Sequence, residues 1–175
     1  MKKKRIYKAH ILYTKEPGRF EVIENGYVAV GTDGRVTGVA ADLASVQRST
    51  LNAQQLDSEE AEVTDFRRPP ADSSHERPVR TCSAISQSGH RHGLGTVAVA
   101  PAVHLPQAFW LATKSAGCFF GQVGSFESGY EFDALVIGDS DLNHDNYSLP
   151  QRLERYIYLG DDRQIEHRFC RGKAI

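Results

Sequence analysis

His90-Arg91-His92 is the one His-x-His in the chain, and imidazole nitrogens are common zinc ligands. A tetrahedral site needs further donors and a rigid element to aim them. Ser86, Ser88, Gly89 and Gly93 around the pair are flexible residue types, and no carboxylate stands near to orient the two rings. Adding His75, His104 or Cys82 makes four ligands on paper, but that spacing matches no closed zinc pattern. His90 and His92 are therefore weak metal candidates that read as solvated loop histidines, and no catalytic or substrate-binding residue is assigned. Asp161-Asp162 beside Arg163 has the composition of an acid/base pair, yet it follows a helix end and reads as a water-exposed loop. Glu131, Asp139, Asp141 and Asp145 read as turn and capping residues. Gly117, Gly121 and Gly124 form no phosphate cradle between a strand and a helix and serve tight backbone instead. Cys118 and Cys170 read as small apolar packing residues.

The elements that must position these residues differ between the two ends. Residues 5–13 are rich in Ile, Tyr and Leu and predict a strand, followed by strands at 20–23 and 27–30. Asn25-Gly26 between the latter two is a strong hairpin signal, since a type I′ turn needs positive φ at both central positions. Gly31-Thr32-Asp33-Gly34 predicts a second tight turn, with a strand at 35–40, a short helix within 41–53 and a strand at 62–66. At the far end, Ala108, Leu111, Ala112 and Ala116 recur at helical spacing within 106–118. A strand follows at 132–137, and a second helix at 149–159 with Ser148 as N-cap and Gln151 at the capping-box position. Leu149, Leu153 and Ile157 make one buried stripe there, with Arg152, Glu154 and Arg155 facing water. Residues 163–171 alternate as a final strand.

Between the ends lie 39 residues, 67–105, of another composition. They hold none of the chain's 16 aromatic residues but four of its seven prolines and four of its seven histidines. With so little apolar surface to offset the entropy of ordering, 67–92 predicts a disordered or irregular junction, while 94–103 is more apolar. The whole chain has 175 residues and a net charge of −1. That suffices for one ordinary domain and falls short of the about 250 residues of a (β/α)8 barrel. The near-neutral balance offers no general field for nucleic acid. The basic run Lys2-Lys3-Lys4-Arg5 reads as a solvated tail, since no apolar segment follows it. An odd, widely spaced set of three cysteines argues against a disulfide framework and fits a reducing cytoplasm.

Several stretches resemble guanine deaminases of the amidohydrolase superfamily. Tyr7-Lys8-Ala9-His10-Ile11-Leu12-Tyr13-Thr14 and the Asp33-Gly34-Arg35-Val36 turn are similar to that family's opening meander. Ala108-Phe109-Trp110-Leu111-Ala112-Thr113-Lys114 resembles its last barrel-side helix, and Gly124-Ser125-Phe126-Glu127-Ser128-Gly129-Tyr130-Glu131-Phe132-Asp133-Ala134 its return to the sheet. Arg152-Leu153-Glu154-Arg155-Tyr156-Ile157-Tyr158-Leu159-Gly160-Asp161-Asp162-Arg163 resembles a stretch peculiar to the bacterial type. The resemblance spans 5–66 and 106–175. It implies a mostly β fold with two or three helices, a composite amidohydrolase-type β-sandwich without a complete barrel: 5–66 is one half, 67–105 the junction, and 106–175 the last barrel-side helix with the other half.

The same resemblance implies a zinc-dependent hydrolysis of guanine to xanthine and ammonia in the intact family. This chain departs from the pattern at the chemistry. Arg67-Arg68-Pro69-Pro70 follows where an Asp-x-His-x-His strand is expected, and Val97 stands after Gly93-Leu94-Gly95-Thr96 where a metal-binding aspartate is expected. Thirty-nine residues cannot supply eight βα units, so the chain is expected to be inactive and to hold no cofactor. Without a barrel, the helix at 106–118 leaves a patch of Phe109, Trp110, Phe119 and Phe120 exposed. That surface implies association with another copy or with an intact homologue, and neither nucleic acid nor a membrane is an expected partner.

Overall fold

The structure, a computed structural model, describes residues 4–50, 61–66, 80–83, 103–140, 142 and 147–175. Strand β1 (Arg5–Tyr13) is its axis. It pairs antiparallel with β2 (Glu21–Val30), whose other edge carries β3 (Val36–Ala40). Two short strands lie end to end along the opposite edge of β1, both parallel to it: β4 (Glu62–Asp65) beside Arg5 to Lys8, and β5 (Arg80–Ser83) beside His10 to Leu12. Antiparallel pairing then continues from β5 to β6 (Ala134–Gly138), β7 (Ile165–Cys170) and β8 (Lys173–Ala174). Strands from both ends of the chain thus share one sheet, joined through β5.

That joint departs from the expected junction. Residues 80–83 lie in the stretch expected to be irregular, yet they form a strand, because β1 and β6 offer ladder partners on both edges. Tertiary pairing overrides weak local preference in sheets. The remainder of 67–102 lies outside the described residues.

Asn25-Gly26 is the second departure. The reversal between β1 and β2 is made earlier, around Gly18 at φ 87°, and β2 runs unbroken past the dipeptide. Ala9 pairs with Gly26 and Ile11 with Ile23, so Glu24 and Asn25 together oppose His10: a β-bulge. Asn25 uses its tolerance of the left-handed region (φ 56°) for the bulge instead of a turn. Its N–H points to His10 Nδ1 at 3.4 Å. The Gly31–Gly34 turn forms as predicted, with Gly34 N–H donating to Gly31 O at 3.0 Å and Asp33 Oδ1 accepting from Arg35 N–H at 3.1 Å.

The period-2 alternation of β1 divides the core. Tyr7, Ala9, Ile11 and Tyr13 face the main cluster, with Val28, Val30, Phe66, Phe126, Phe132, Val136 and Phe169. Tyr7 stacks on Phe66 (5.3 Å, 12°) and on Phe132 (5.1 Å, 4°) and tilts against Phe169. The opposite face splits into two smaller clusters. Ile6 and Ala29 pack on Val46 of α1 (Leu43–Thr50). Leu12 packs on Phe109 of α2 (Leu105–Trp110) and on Leu149 and Leu153 of α3 (Leu149–Leu159).

The sheet curls until its far parts meet. An isolated bridge joins Arg35 to Glu131, Val36 N–H donates to Tyr130 O at 2.8 Å, and Phe132 N–H donates to Gly34 O at 2.9 Å. A Cβ on Gly34 would lie 2.2 Å from the Arg171 carbonyl oxygen, so glycine is demanded there by closeness as well as by φ.

The helix expected at 106–118 widens part-way. α2 passes into a π-helical stretch at Leu111–Ser115 and ends in a 3₁₀ turn at Cys118–Phe120. Thr113 Oγ1 donates back to Phe109 O at 2.7 Å, supplying a partner where the helical ladder is out of step. In α3 the predicted capping pair is present: Gln151 Oε1 accepts from Ser148 N–H at 2.9 Å and from Ser148 Oγ at 2.8 Å. The predicted stripe holds at Leu149 and Leu153 and fails at Ile157, which is 42% exposed and shares the open last turn with exposed Tyr158 and Leu159. No helix among the described residues is long and apolar enough to cross a membrane.

Candidate functional site

His90 and His92 lie outside the described residues, as do Val97, His75, Asp141 and Asp145. Of the acidic candidates, Asp139, Glu131 and Asp161 are each engaged by an arginine. Asp139 opens a turn, as expected, its carbonyl accepting from Leu142 N–H at 3.0 Å, but its side chain is buried and receives Arg152 Nε at 2.6 Å and Nη2 at 2.5 Å, where Arg152 is expected in water. Arg152 sits one residue before buried Leu153, on the flank of α3 that meets the end of β6. Glu131 lies between Arg35 (3.6 Å) and Arg171 (2.9 Å). Asp161 is exposed as predicted and binds Arg163 through Nε at 2.8 Å. The hydrogen bonds and the charge from Arg163 hold its carboxyl below the usual range. No two of these acids share a proton-transfer geometry. Among the described residues, no group of three or more His, Cys, Asp or Glu side chains is placed to hold a metal ion.

Cys118 and Cys170 are exposed, contrary to the packing role expected of them. Cys118 falls on the solvent side of the 3₁₀ turn. Cys170 follows core residue Phe169 on β7, and alternation turns it outward. Phe109 is likewise not part of an exposed patch, because it is buried against Leu12 with Phe20 edge-on at 5.5 Å. Trp110 is half-buried, and Tyr158 is exposed. What is exposed is Phe119, at 86%, and Phe120, at 76%.

Two features emerge that no motif announced. The first is a polar clamp. Lys114 Nζ donates to the Glu127 carboxylate and to Lys15 O at 2.9 Å, and sits 5.3 Å from the centre of the Tyr130 ring. Ser125 Oγ, buried, lies 2.9 Å from Glu127 Oε2 and 3.1 Å from Thr14 O. Ser, Lys and Glu together invite a nucleophile reading, and the electrostatics refuse it. Burial pulls the Lys114 pKa down, but the hydrogen bond and charge of Glu127, with Tyr130, outweigh that and raise it. A lysine held protonated accepts no proton from Ser125. The cluster fastens the β1–β2 turn, the π-helical stretch and the loop before β6 to one another. Lys114 and the Gly-Ser-Phe-Glu run were visible in the sequence as a resemblance, without a signal that they meet.

The second feature is a cleft of about 350 Å³ between the helical segment (Ala112, Ala116, Gly117), Val123 of the following loop, and Leu135 and Phe169 of β6 and β7. Phe120 is on its rim. Gly117 and Gly124 line it without any phosphate-binding arrangement. At Gly124 (φ 80°) a Cβ would stand 2.5 Å from the Thr113 carbonyl, so this glycine allows loop backbone to lie directly on the π-helical stretch.

No family model matches the chain. Guanine deaminase of Mus musculus is 36% identical over 83 residues, covering 41% of this chain and 18% of the relative. The Homo sapiens guanine deaminase gives the same identity and coverage. Among solved structures, guanine deaminase from C. acetobutylicum with guanine bound in its active site is 57% identical, covering 42% of this chain and 17% of that one, with a TM-score of 0.41. The chain therefore spans about 18% of the length of the curated relatives it matches.

Proposed function

We propose that this chain, guanine-deaminase-like over part of its length, is the composite β-sandwich portion of such an amidohydrolase and does not itself turn over guanine. The observation that carries the reading is the 36% identity over 83 residues to guanine deaminases. The sharing of one sheet by strands from both ends supports it, since a scaffold assembled from sequence-distant halves is what the resemblance implies. In the family reaction, a bound zinc ion supplies an activated water for attack on the amino-bearing carbon.

The donor set of the described residues does not fit that ion. Glu131, Asp139 and Asp161 are committed to arginines, and Cys118 and Cys170 stand exposed with no group of three donors placed to hold a metal. What these residues do is structural: Arg152 and Asp139 seat α3 on the sheet, and Lys114 and Glu127 seat the helical segment over the β1–β2 turn.

The test is a guanine assay on the purified full chain with zinc added, following xanthine and ammonia. The expected rate equals the protein-free blank. Turnover that requires zinc and is abolished by His90→Ala or His92→Ala would overturn the proposal and make that pair a working site.

A further inference from the structure

We propose that Asn25-Gly26 is a self-modification site of this chain, and that the β-bulge holds the reaction off until β2 leaves the sheet. This goes beyond the scaffold reading and does not depend on it. Asn25 is the one asparagine of four that precedes a glycine. In that dipeptide the Gly26 nitrogen, giving up its proton to solvent, bonds to the side-chain carbonyl carbon of Asn25, and the side-chain nitrogen leaves as ammonia. Water then opens the five-membered succinimide. Attack at the side-chain carbonyl gives aspartate. Attack at the main-chain carbonyl gives isoaspartate, with the backbone rerouted through the former side chain. One water is consumed for each ammonia released.

The two reacting residues sit in different surroundings. Asn25 is exposed at the bulge, while Gly26 is buried. Ring closure needs rotation about the Asn25 Cα–C bond, which swings the Gly26 nitrogen and the strand that follows it. Gly26 has no room to swing. A Cβ there would stand 2.5 Å from the Ile23 side chain, 3.0 Å from that of Ile11 and 3.2 Å from the Ala40 carbonyl oxygen. Tyr27, next in the chain, pairs with Lys8 on one edge and with Ala40 on the other. Asn25 itself is set at φ 56° by the bulge. A glycine favours the ring closure because it has no side chain to obstruct it, and the packing that demands glycine here also restrains that closure. β2 lies between β1 and β3, so its release belongs to the costly end of the chain's local openings. The rate in the folded protein is then the unfolded rate multiplied by the fraction of time spent open.

The test holds the full chain at mildly alkaline pH, in buffer and in guanidinium chloride. The tryptic peptide of residues 20–35 is then followed by mass spectrometry for replacement of the amide NH2 by OH, and by chromatography for aspartate against isoaspartate. Conversion in buffer should be slower than in denaturant by at least about tenfold, the protection that even an opening of modest cost confers. Ile23→Ala, which takes away a side chain packed on Gly26, should speed conversion in buffer and leave the rate in denaturant unchanged. Equal wild-type rates in the two conditions, no conversion in denaturant, or an I23A rate in buffer no faster than the wild type's would each overturn the inference.

Discussion

Replacing Arg152 by Met removes the guanidinium that holds the buried Asp139 carboxylate while leaving most of the aliphatic packing of the side chain in place. In the native fold the two groups form a bidentate pair at 2.6 and 2.5 Å, with Asp139 only 3% exposed and the Arg152 side chain 15% exposed. Taking away one member of a buried pair costs about 3–5 kcal/mol, because the other charge is left desolvated. The residual exposure of Arg152 lets water in and lowers the expected loss to about 2–4 kcal/mol.

Urea unfolding followed by circular dichroism reads this directly. With a slope of about 2 kcal/mol/M for a chain of this size, the midpoint should fall by roughly 1–2 M. The asymmetry is the sharper check. Asp139→Asn keeps an acceptor beside Arg152 and should lose less than R152M. The pair R152M with Asp139→Leu should recover part of the deficit, since no buried charge remains. A midpoint within error of wild type in R152M, or a double variant worse than the sum of the singles, would refute the assignment of this pair as the anchor of α3.

Two further changes separate the other contacts. The raised pKa of Lys114 means that its contribution to stability is complete below the ordinary lysine value of 10.5 and is lost as pH rises through the higher folded value. Tyr13, whose pKa burial raises above 10.0 against the pull of Lys15, loses its contribution in the same direction. Thermal midpoints measured from pH 9 to 12 should therefore fall in the wild type, and Glu127→Gln should flatten the Lys114 part and the smaller share of the Tyr13 part that the Glu127 charge supplies, leaving the share due to burial; an identical fall in both proteins would remove the clamp from the explanation. Gly124→Ala and Gly18→Ala both place a side chain at positive φ, a strain of about 1–2 kcal/mol. Only Gly124 also meets backbone, at 2.5 Å from the Thr113 carbonyl, while Gly18 has open space. Chemical denaturation should therefore show G124A losing clearly more stability than G18A, and equal losses would mean that the close approach to the π-helical stretch does not matter.

What the sequence made legible follows from how local each signal is. The period-2 run of β1, the Gly31–Gly34 turn and the Ser148–Gln151 cap are decided within a few residues, and each forms where the pattern placed it. Asn25-Gly26 carries an equally local preference for positive φ. Nothing nearby distinguishes a turn from a bulge, and the ladder to β1 makes the choice. Arg152 and Asp139 illustrate the opposite limit. Each reads as a surface residue on its own, and only the docking of α3 against the end of β6, 13 residues apart in sequence, buries them as a pair. The polar clamp depends on Lys15, Lys114 and Glu127 meeting across up to 112 positions, which no spacing rule encodes. Strand β5 was illegible because its four residues carry no alternation of apolar types and owe their conformation to neighbours on both edges.

The placement of the main core bears on how such a scaffold tolerates what lies between its ends. Tyr7 and Phe66 come from the front, Phe132 and Phe169 from the back, and their rings lie within 5.1–6.0 Å of one another. Neither end can bury these rings alone, so the two halves must fold as a unit. The segment joining them contributes β5 to the described structure, and joining two paired ends through any connecting chain costs the entropy of closure. That entropy grows only with the logarithm of length, about 0.6 kcal/mol for each doubling. One fully buried aromatic side chain contributes about 1.5–3 kcal/mol, enough to offset several doublings. A sheet held by contacts between its own ends is therefore nearly indifferent to the length of chain that connects them.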